Sequence, residues 1–79
     1  MTNTKVVEGI ADSFDRSIAG TYYTATALNL RKGASKNFAI IAVMPRGVKV
    51  QCYGYHTNDW YYVTYGNYTG FCMKQYLTK

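Results

Sequence analysis

The spacing of apolar residues along this chain changes once, near residue 20. Val6, Val7, Ile10, Ala11, Phe14 and Ile18 recur every three or four residues, with Glu8, Asp12, Asp15 and Arg16 opposite them, the arrangement of an amphipathic helix. The spacing predicts a helix from about Lys5 to Ile18, capped at Asn3 or Thr4, weakened at Gly9 and stopped by Gly20. So short a helix does not persist alone in water and must dock. From Thr21 the period is two, as in a strand: Tyr23, Ala25 and Ala27 alternate with Thr24 and Thr26, and Leu28 and Leu30 flank Asn29.

The rest of the chain continues as short strands. Arg31 to Asn37 is a Gly/Ser/Lys loop and Ala39 to Met44 a short apolar strand, followed by a Met44-Pro45-Arg46-Gly47 turn. Val48, Val50 and Cys52 are expected to face inward, with Lys49, Gln51 and Tyr53 facing out. Gly54 in mid-strand predicts a bulge or sharp bend, and His56 to Asp59 reads as a loop. Trp60 to Tyr65 and Tyr68 to Met73 form a hairpin, with Gly66-Asn67 as a type II′ turn. Strands this short and this closely joined predict a mainly β fold, a small partly open barrel of five to six strands with a short N-terminal helix. The expected division is a linker helix over residues 1–20 and a barrel over 21–79.

Length limits the function. A chain of 79 residues holds one domain, in which a multistep enzyme with its own substrate cleft would be cramped. No stretch approaches the roughly 20 apolar residues that span a bilayer, and Met1 to Lys5 lacks the form of an export signal, so no membrane partner is expected. Charge is unevenly spread: residues 21–79 carry seven Lys or Arg against Asp59 alone. A basic barrel favours polyanions such as teichoic-type wall polymers or nucleic acid; the same charge also serves solubility.

Catalysis and metal binding find few candidates. Cys52 and Cys72 lie apart, without a Cys-x-x-Cys pair and with His56 as the one histidine, so no metal, cofactor or catalytic residue is assigned. Both cysteines read as small core side chains, with a disulfide as the alternative. Paired carboxylates for glycoside hydrolysis are missing from the barrel, which holds only Asp59.

Aromatic residues are in surplus. Of thirteen, twelve lie after residue 20, more than a barrel of this size buries beside its aliphatic core. On Trp60 to Tyr65, Val63 marks the core face, which turns Trp60 and Tyr62 outward. Tyr and Trp present an apolar body and a polar tip with little rotamer entropy to lose, which suits glycan faces and extended peptides. The candidate groove is Tyr23 (or its neighbour Tyr22), Asn29, Tyr53, Tyr55, Trp60, Tyr62 and Tyr68; the competing expectation is that about half of these tyrosines pack in the barrel with only the hydroxyl wet.

Four of these pieces occur in one order: Leu28-Asn29-Leu30-Arg31-Lys32-Gly33-Ala34-Ser35, Pro45-Arg46-Gly47, Trp60-Tyr61-Tyr62-Val63 and Tyr68-Thr69-Gly70-Phe71. Together they resemble the bacterial SH3-type (SH3b) module, with its Leu-Asn-(Val/Leu)-Arg-x-Gly-(Pro/Ala)-Ser opening, its Trp-Tyr strand and its Thr-Gly-(Tyr/Phe) strand, over about sixty residues. Ala34 stands where Pro is commoner and Cys72 where Val is usual. The resemblance implies an SH3-like barrel whose 31–37 loop borders the binding groove. It also implies a non-catalytic wall-targeting role, as at the C-termini of phage endolysins and autolysins, where a linker precedes the module and the catalytic domain lies upstream. Arg31, in the Leu-Asn-Leu-Arg motif, either binds a carboxylate of a wall stem peptide or braces the loop through backbone carbonyls.

The resulting expectation is the cell-wall-binding domain of a phage endolysin, anchoring a peptidoglycan hydrolase to peptidoglycan or an attached polymer of a Gram-positive wall during host lysis. Its location would be the host cytoplasm until lysis and the wall afterwards. Met1 followed at once by a linker fits an internal translation start or a fragment. Val6, Ile10, Phe14 and Ile18 either pack on the barrel or offer an apolar face to a second copy. The alternative is an intracellular SH3-like module binding peptide or single-stranded nucleic acid; the scatter of Lys and Arg over many loops, rather than along one strand, speaks against nucleic acid.

Overall fold

The computed structural model describes residues 11–79. Eight strands form one antiparallel sheet: β1 (Ser13–Phe14), β2 (Gly20–Thr24), β3 (Leu28–Arg31), β4 (Ile40–Met44), β5 (Lys49–Thr57), β6 (Trp60–Tyr65), β7 (Tyr68–Met73) and β8 (Leu77–Thr78). Their order is β4-β3-β7-β6-β5-β2-β8, with β1 beside β5. The sheet wraps around Leu28, Leu30, Met44, Val50, Cys52, Val63 and Cys72, so the mainly β, partly open architecture stands. Two of the strands, β1 and β8, hold only two residues each, and they raise the count above the expected five to six.

The expected helix does not form between residues 11 and 18; its remainder, with Val6 and Ile10, lies outside the described residues. In its place the chain runs through β1 and a 3-10 turn, Arg16–Ile18. The long end of β5 offers partners that a lone helix would not have: Ser13 and Phe14 pair with His56 and Tyr55 in a strand ladder, Asp12 N–H donates to the side-chain hydroxyl Thr57 Oγ1 (3.0 Å), and Asp15 N–H donates to the Gly54 carbonyl (2.8 Å). Asp15 and Ser17 are also residues whose side chains compete with helical bonding. Asp15 Oδ1 accepts from Ser17 N–H (2.9 Å) and Ser17 Oγ (2.6 Å), and these bonds hold its carboxyl below the ordinary carboxylate range.

Gly54 makes this docking feasible. Its φ is +98°, and a Cβ there would meet the Phe14 ring at 2.8 Å and the Asp15 carbonyl at 3.1 Å. The predicted bend is present, because the β5–β6 register shifts between Cys52 and His56.

Inward and outward faces alternate along β5 as the sequence implies, with Val50 and Cys52 buried and Lys49, Gln51 and Tyr53 exposed. The loop after β5 shrinks to the Asn58-Asp59 turn, since His56 and Thr57 continue the ladder to Tyr61 and Trp60. Asn58 takes φ +53°, which Asn tolerates better than most residues. Gly66, at φ +57°, fills the first central position of the β6–β7 turn, as expected for type II′. Tyr22 is buried at 8% exposure; its hydroxyl donates to the Ile18 carbonyl (2.8 Å), and Lys79 Nζ stands 5.1 Å from its ring centre.

Both cysteines are free and fully buried, which decides between the core and disulfide readings. Burial pushes the Cys72 thiol up to about 12 and raises Cys52 in the same direction. Neither is a ready nucleophile.

Candidate binding groove

A groove of about 380 Å³ runs along the outer face of β3, bounded by Thr26, Ala27, Leu28, Asn29, Arg31, Lys36, Val43, Trp60, Met73 and Tyr76. Register explains how such distant residues meet. Asn29 pairs with Val43 across the β3–β4 hairpin, and Trp60 pairs with Met73 across β6–β7. The 3-10 turn Lys74–Tyr76 then brings Tyr76 to the same trough. β3 meets β7 at Arg31 and Phe71, where Gly70 permits backbone contact: a Cβ there would fall against the Arg31 carbonyl oxygen.

Arg31 reaches back over its own hairpin. Its Nη1 donates to the carbonyls of Lys36 and Phe38, each at 3.0 Å, so the bracing role expected as one alternative is present. The other wall is anchored at Asp59: Lys74 N–H donates to the Asp59 carbonyl (2.8 Å), and Lys74 Nζ lies 3.6 Å from its carboxylate. These two contacts hold the turn before Trp60 against the turn that carries Tyr76. The lining mixes cationic, amide and aromatic groups and includes no carboxylate.

Of the eight ligand-binding residues expected from sequence, Asn29, Arg31 and Trp60 line this groove. Tyr62 shares the outward face with Trp60 and packs on Phe71, ring centres 5.2 Å apart, and toward Tyr55 at 6.3 Å. Tyr55 in turn meets Phe14 at 5.1 Å. Phe71, Tyr62, Tyr55 and Phe14 therefore form an aromatic row apart from the groove lining. Tyr23, Tyr53 and Tyr68 are exposed on other parts of the surface. Tyr22, the alternative to Tyr23, belongs to the core. Of the residues expected to face a second copy, Phe14 is exposed on β1 while Ile18 packs against the chain's own core.

Sequence reasoning missed Thr26, Ala27, Leu28, Lys36, Val43, Met73 and Tyr76 as groove residues. Val43 was legible as the hairpin partner of Asn29, and Met73 as the partner of Trp60. No local signal marked Tyr76, which depends on the final 3-10 turn. Among the described residues, no three His, Cys, Asp or Glu side chains converge as a metal site would require, and no helix is long and apolar enough to cross a membrane.

The sequence profile described as "Bacterial SH3 domain" matches residues 26–78. No curated protein matches the chain. Among solved structures, NlpC2 from Trichomonas vaginalis superposes on 78% of this chain with a TM-score of 0.72 at 21% sequence identity, a likeness of fold. The matched part is 23% of the NlpC2 chain, so this chain spans less than a quarter of it.

Proposed function

The chain belongs to the bacterial SH3 domain family, and from that premise we propose that it is a non-catalytic cell-wall-binding module, the targeting domain of a phage endolysin. Members of the family generally bind peptidoglycan. In this reading the barrel tethers a peptidoglycan hydrolase, whose catalytic domain is a separate unit, to a Gram-positive wall during host lysis. Tethering raises the local concentration of that domain at its substrate without any chemistry in the barrel. The protein would reside in the host cytoplasm until lysis and on the wall afterwards.

The observation that carries the proposal is the groove beside Trp60, open, part aromatic and part cationic, on the outer face of the sheet. A trough of this kind accepts a flexible polymer segment from the side, as an insoluble wall requires. The test is co-sedimentation of the labelled protein with intact Gram-positive walls and with walls stripped of secondary polymers. Binding to both places the ligand in peptidoglycan, and binding to untreated walls alone places it in the attached polymer. Failure to sediment with walls from a broad host panel overturns the proposal and favours the SH3-like interaction module.

A further inference from the structure

We infer that the outer face of β2, β5, β6 and β7 carries a second binding site, separate from the groove, which takes an uncharged sugar chain, the glycan strand of the wall, across the side chains of Thr21, Gln51, Thr64 and Thr69. The inference rests on the wall-binding reading for the source of the sugar and adds a site to it.

Register builds the site. Thr21 pairs with Gln51, Gln51 with Thr64 and Thr64 with Thr69. Four neutral polar side chains therefore form one row across four strands, about 14 Å long at the usual strand spacing. Two hydrogen bonds keep the row in order: Thr21 Oγ1 donates to Gln51 Oε1, and the Thr64 and Thr69 hydroxyls bond to one another, each at 3.1 Å. Thr21, Gln51 and Thr69 are exposed and Thr64 is half-buried. None of the four lines the groove.

Unused hydrogen-bonding capacity selects the ligand. Gln51 Nε2 carries two N–H groups and has no partner among the described residues, the Thr21 lone pairs are open, and the Thr64 and Thr69 pair keeps one free O–H. The row thus offers donors and acceptors side by side, which matches vicinal sugar hydroxyls, each of them both donor and acceptor. An anion would use the donors alone. Charge agrees with this choice: β2, β6 and β7 contain no Asp, Glu, Lys or Arg, and β5 contains only Lys49. A phosphate polymer or a peptide carboxylate finds little to hold it here.

Aromatic rings border the row on both sides. By the alternation along each strand, Tyr23 shares the outward face of Thr21 and Tyr53 that of Gln51, and the two rings are 44% and 45% exposed. A pyranose presents C–H groups on its faces and hydroxyls at its rim, so it gains from an aromatic ring placed beside a hydroxyl row. Side chains carried on paired strands are already ordered, which lowers the entropy lost on binding. A flat face also admits the middle of a long strand, which a closed pocket would not.

The whole chain, isotope-labelled, is titrated with chitotetraose, an uncharged N-acetylglucosamine oligomer, and its amide resonances are followed. Saturable shifts are expected at Thr21, Gln51, Thr64 and Thr69, with Asn29 and Val43 of the groove unmoved. Gln51→Glu keeps the shape and removes both N–H donors, and Tyr53→Ala removes a bordering ring. Both positions are exposed, and each change is expected to weaken binding at least about fivefold, the worth of one hydrogen bond, while Lys36→Glu in the groove leaves it unchanged. Shifts confined to the groove, no saturable shift, or wild-type affinity in either Gln51→Glu or Tyr53→Ala overturns the inference. Wall sedimentation of the unmodified chain separates the two levels. Walls bound without chitotetraose binding defeat this inference alone, and chitotetraose bound on this face without wall sedimentation defeats the wall reading and leaves the sugar site standing.

Discussion

Thr24 and Pro45, twenty-one positions apart, are joined by a hydrogen bond of 2.6 Å from the threonine Oγ1 to the proline carbonyl. The same Oγ1 accepts from Val48 N–H at 3.0 Å, and the Thr24 carbonyl accepts from Gly47 N–H at 2.7 Å. One buried threonine, 2% exposed, thus satisfies the backbone of the turn between β4 and β5. A buried polar side chain is stabilising only when both its donor and acceptor capacity are met, as they are here.

Thr24→Val is therefore expected to destabilise the fold by about 2–3 kcal/mol, because the shape is kept while the Pro45 carbonyl and Val48 N–H lose their partner. Thr24→Ser keeps the hydroxyl and should cost about 1 kcal/mol for the lost methyl. Urea denaturation of the two variants checks the order; a valine variant as stable as wild type removes the hydroxyl from the account.

Arg31→Ala should loosen the 32–39 loop. It removes two charge-assisted bonds to the Lys36 and Phe38 carbonyls, an expected loss of about 1–2 kcal/mol given the half-exposed setting. Amide exchange within the loop should accelerate while exchange in β5 and β6 is unchanged at matched global stability. Uniform acceleration across the sheet would show that the brace acts on the whole barrel.

Two glycines should respond differently to Ala. At Gly70 the new Cβ would meet the Arg31 carbonyl and lie 2.9 Å from Ile41 Cδ1; the backbone at the β3–β7 contact cannot yield without separating strands, so the cost is expected at or above the upper end of about 1–3 kcal/mol. At Gly66 nothing lies within 4 Å, and the positive φ alone costs about 1–2 kcal/mol. Thermal unfolding of both variants measures the difference, and equal losses would contradict the close β3–β7 approach.

Stability should fall at alkaline pH. The Cys72 thiol is pushed up from 9.0 to about 12 by burial, so the folded state keeps a proton that the unfolded chain releases. That contribution is complete below about pH 9 and is lost as pH rises toward 12, with a slope of at most about 1.4 kcal/mol per pH unit for this group. Cys52 and Tyr22, both raised mainly by burial, act in the same sense. Cys72→Ala should flatten the profile between pH 9 and 12 relative to wild type. An unchanged slope would assign it to other groups.

Most of the barrel was legible in the chain itself because a strand buried on one face leaves a period-two record. Val50 and Cys52 in, Gln51 and Tyr53 out, and Val63 at the centre of β6 all follow from that alternation, and the Gly66-Asn67 turn from the φ it demands. The Leu28 to Ser35 motif with its three companions carried the family. The same local logic failed between residues 11 and 18, where a three-to-four-residue spacing described a helix but the extended end of β5 supplied hydrogen-bond partners for Asp12 to Asp15, the Thr57 hydroxyl among them.

The sequence by itself determined that the chain is a mainly β module of the SH3 type, which residues of β5 and of the centre of β6 enter its core, and that its barrel is basic and rich in aromatics. Only the tertiary structure decided which aromatics share a site. Tyr22 went to the core, Tyr55 and Tyr62 to a row with Phe71 and Phe14, and Trp60 to a groove with Lys36, Met73 and Tyr76. The physical reason is that burial depends on a residue's own position in a strand, whereas a groove depends on the register between strands and on a terminal turn, relationships that no local window contains.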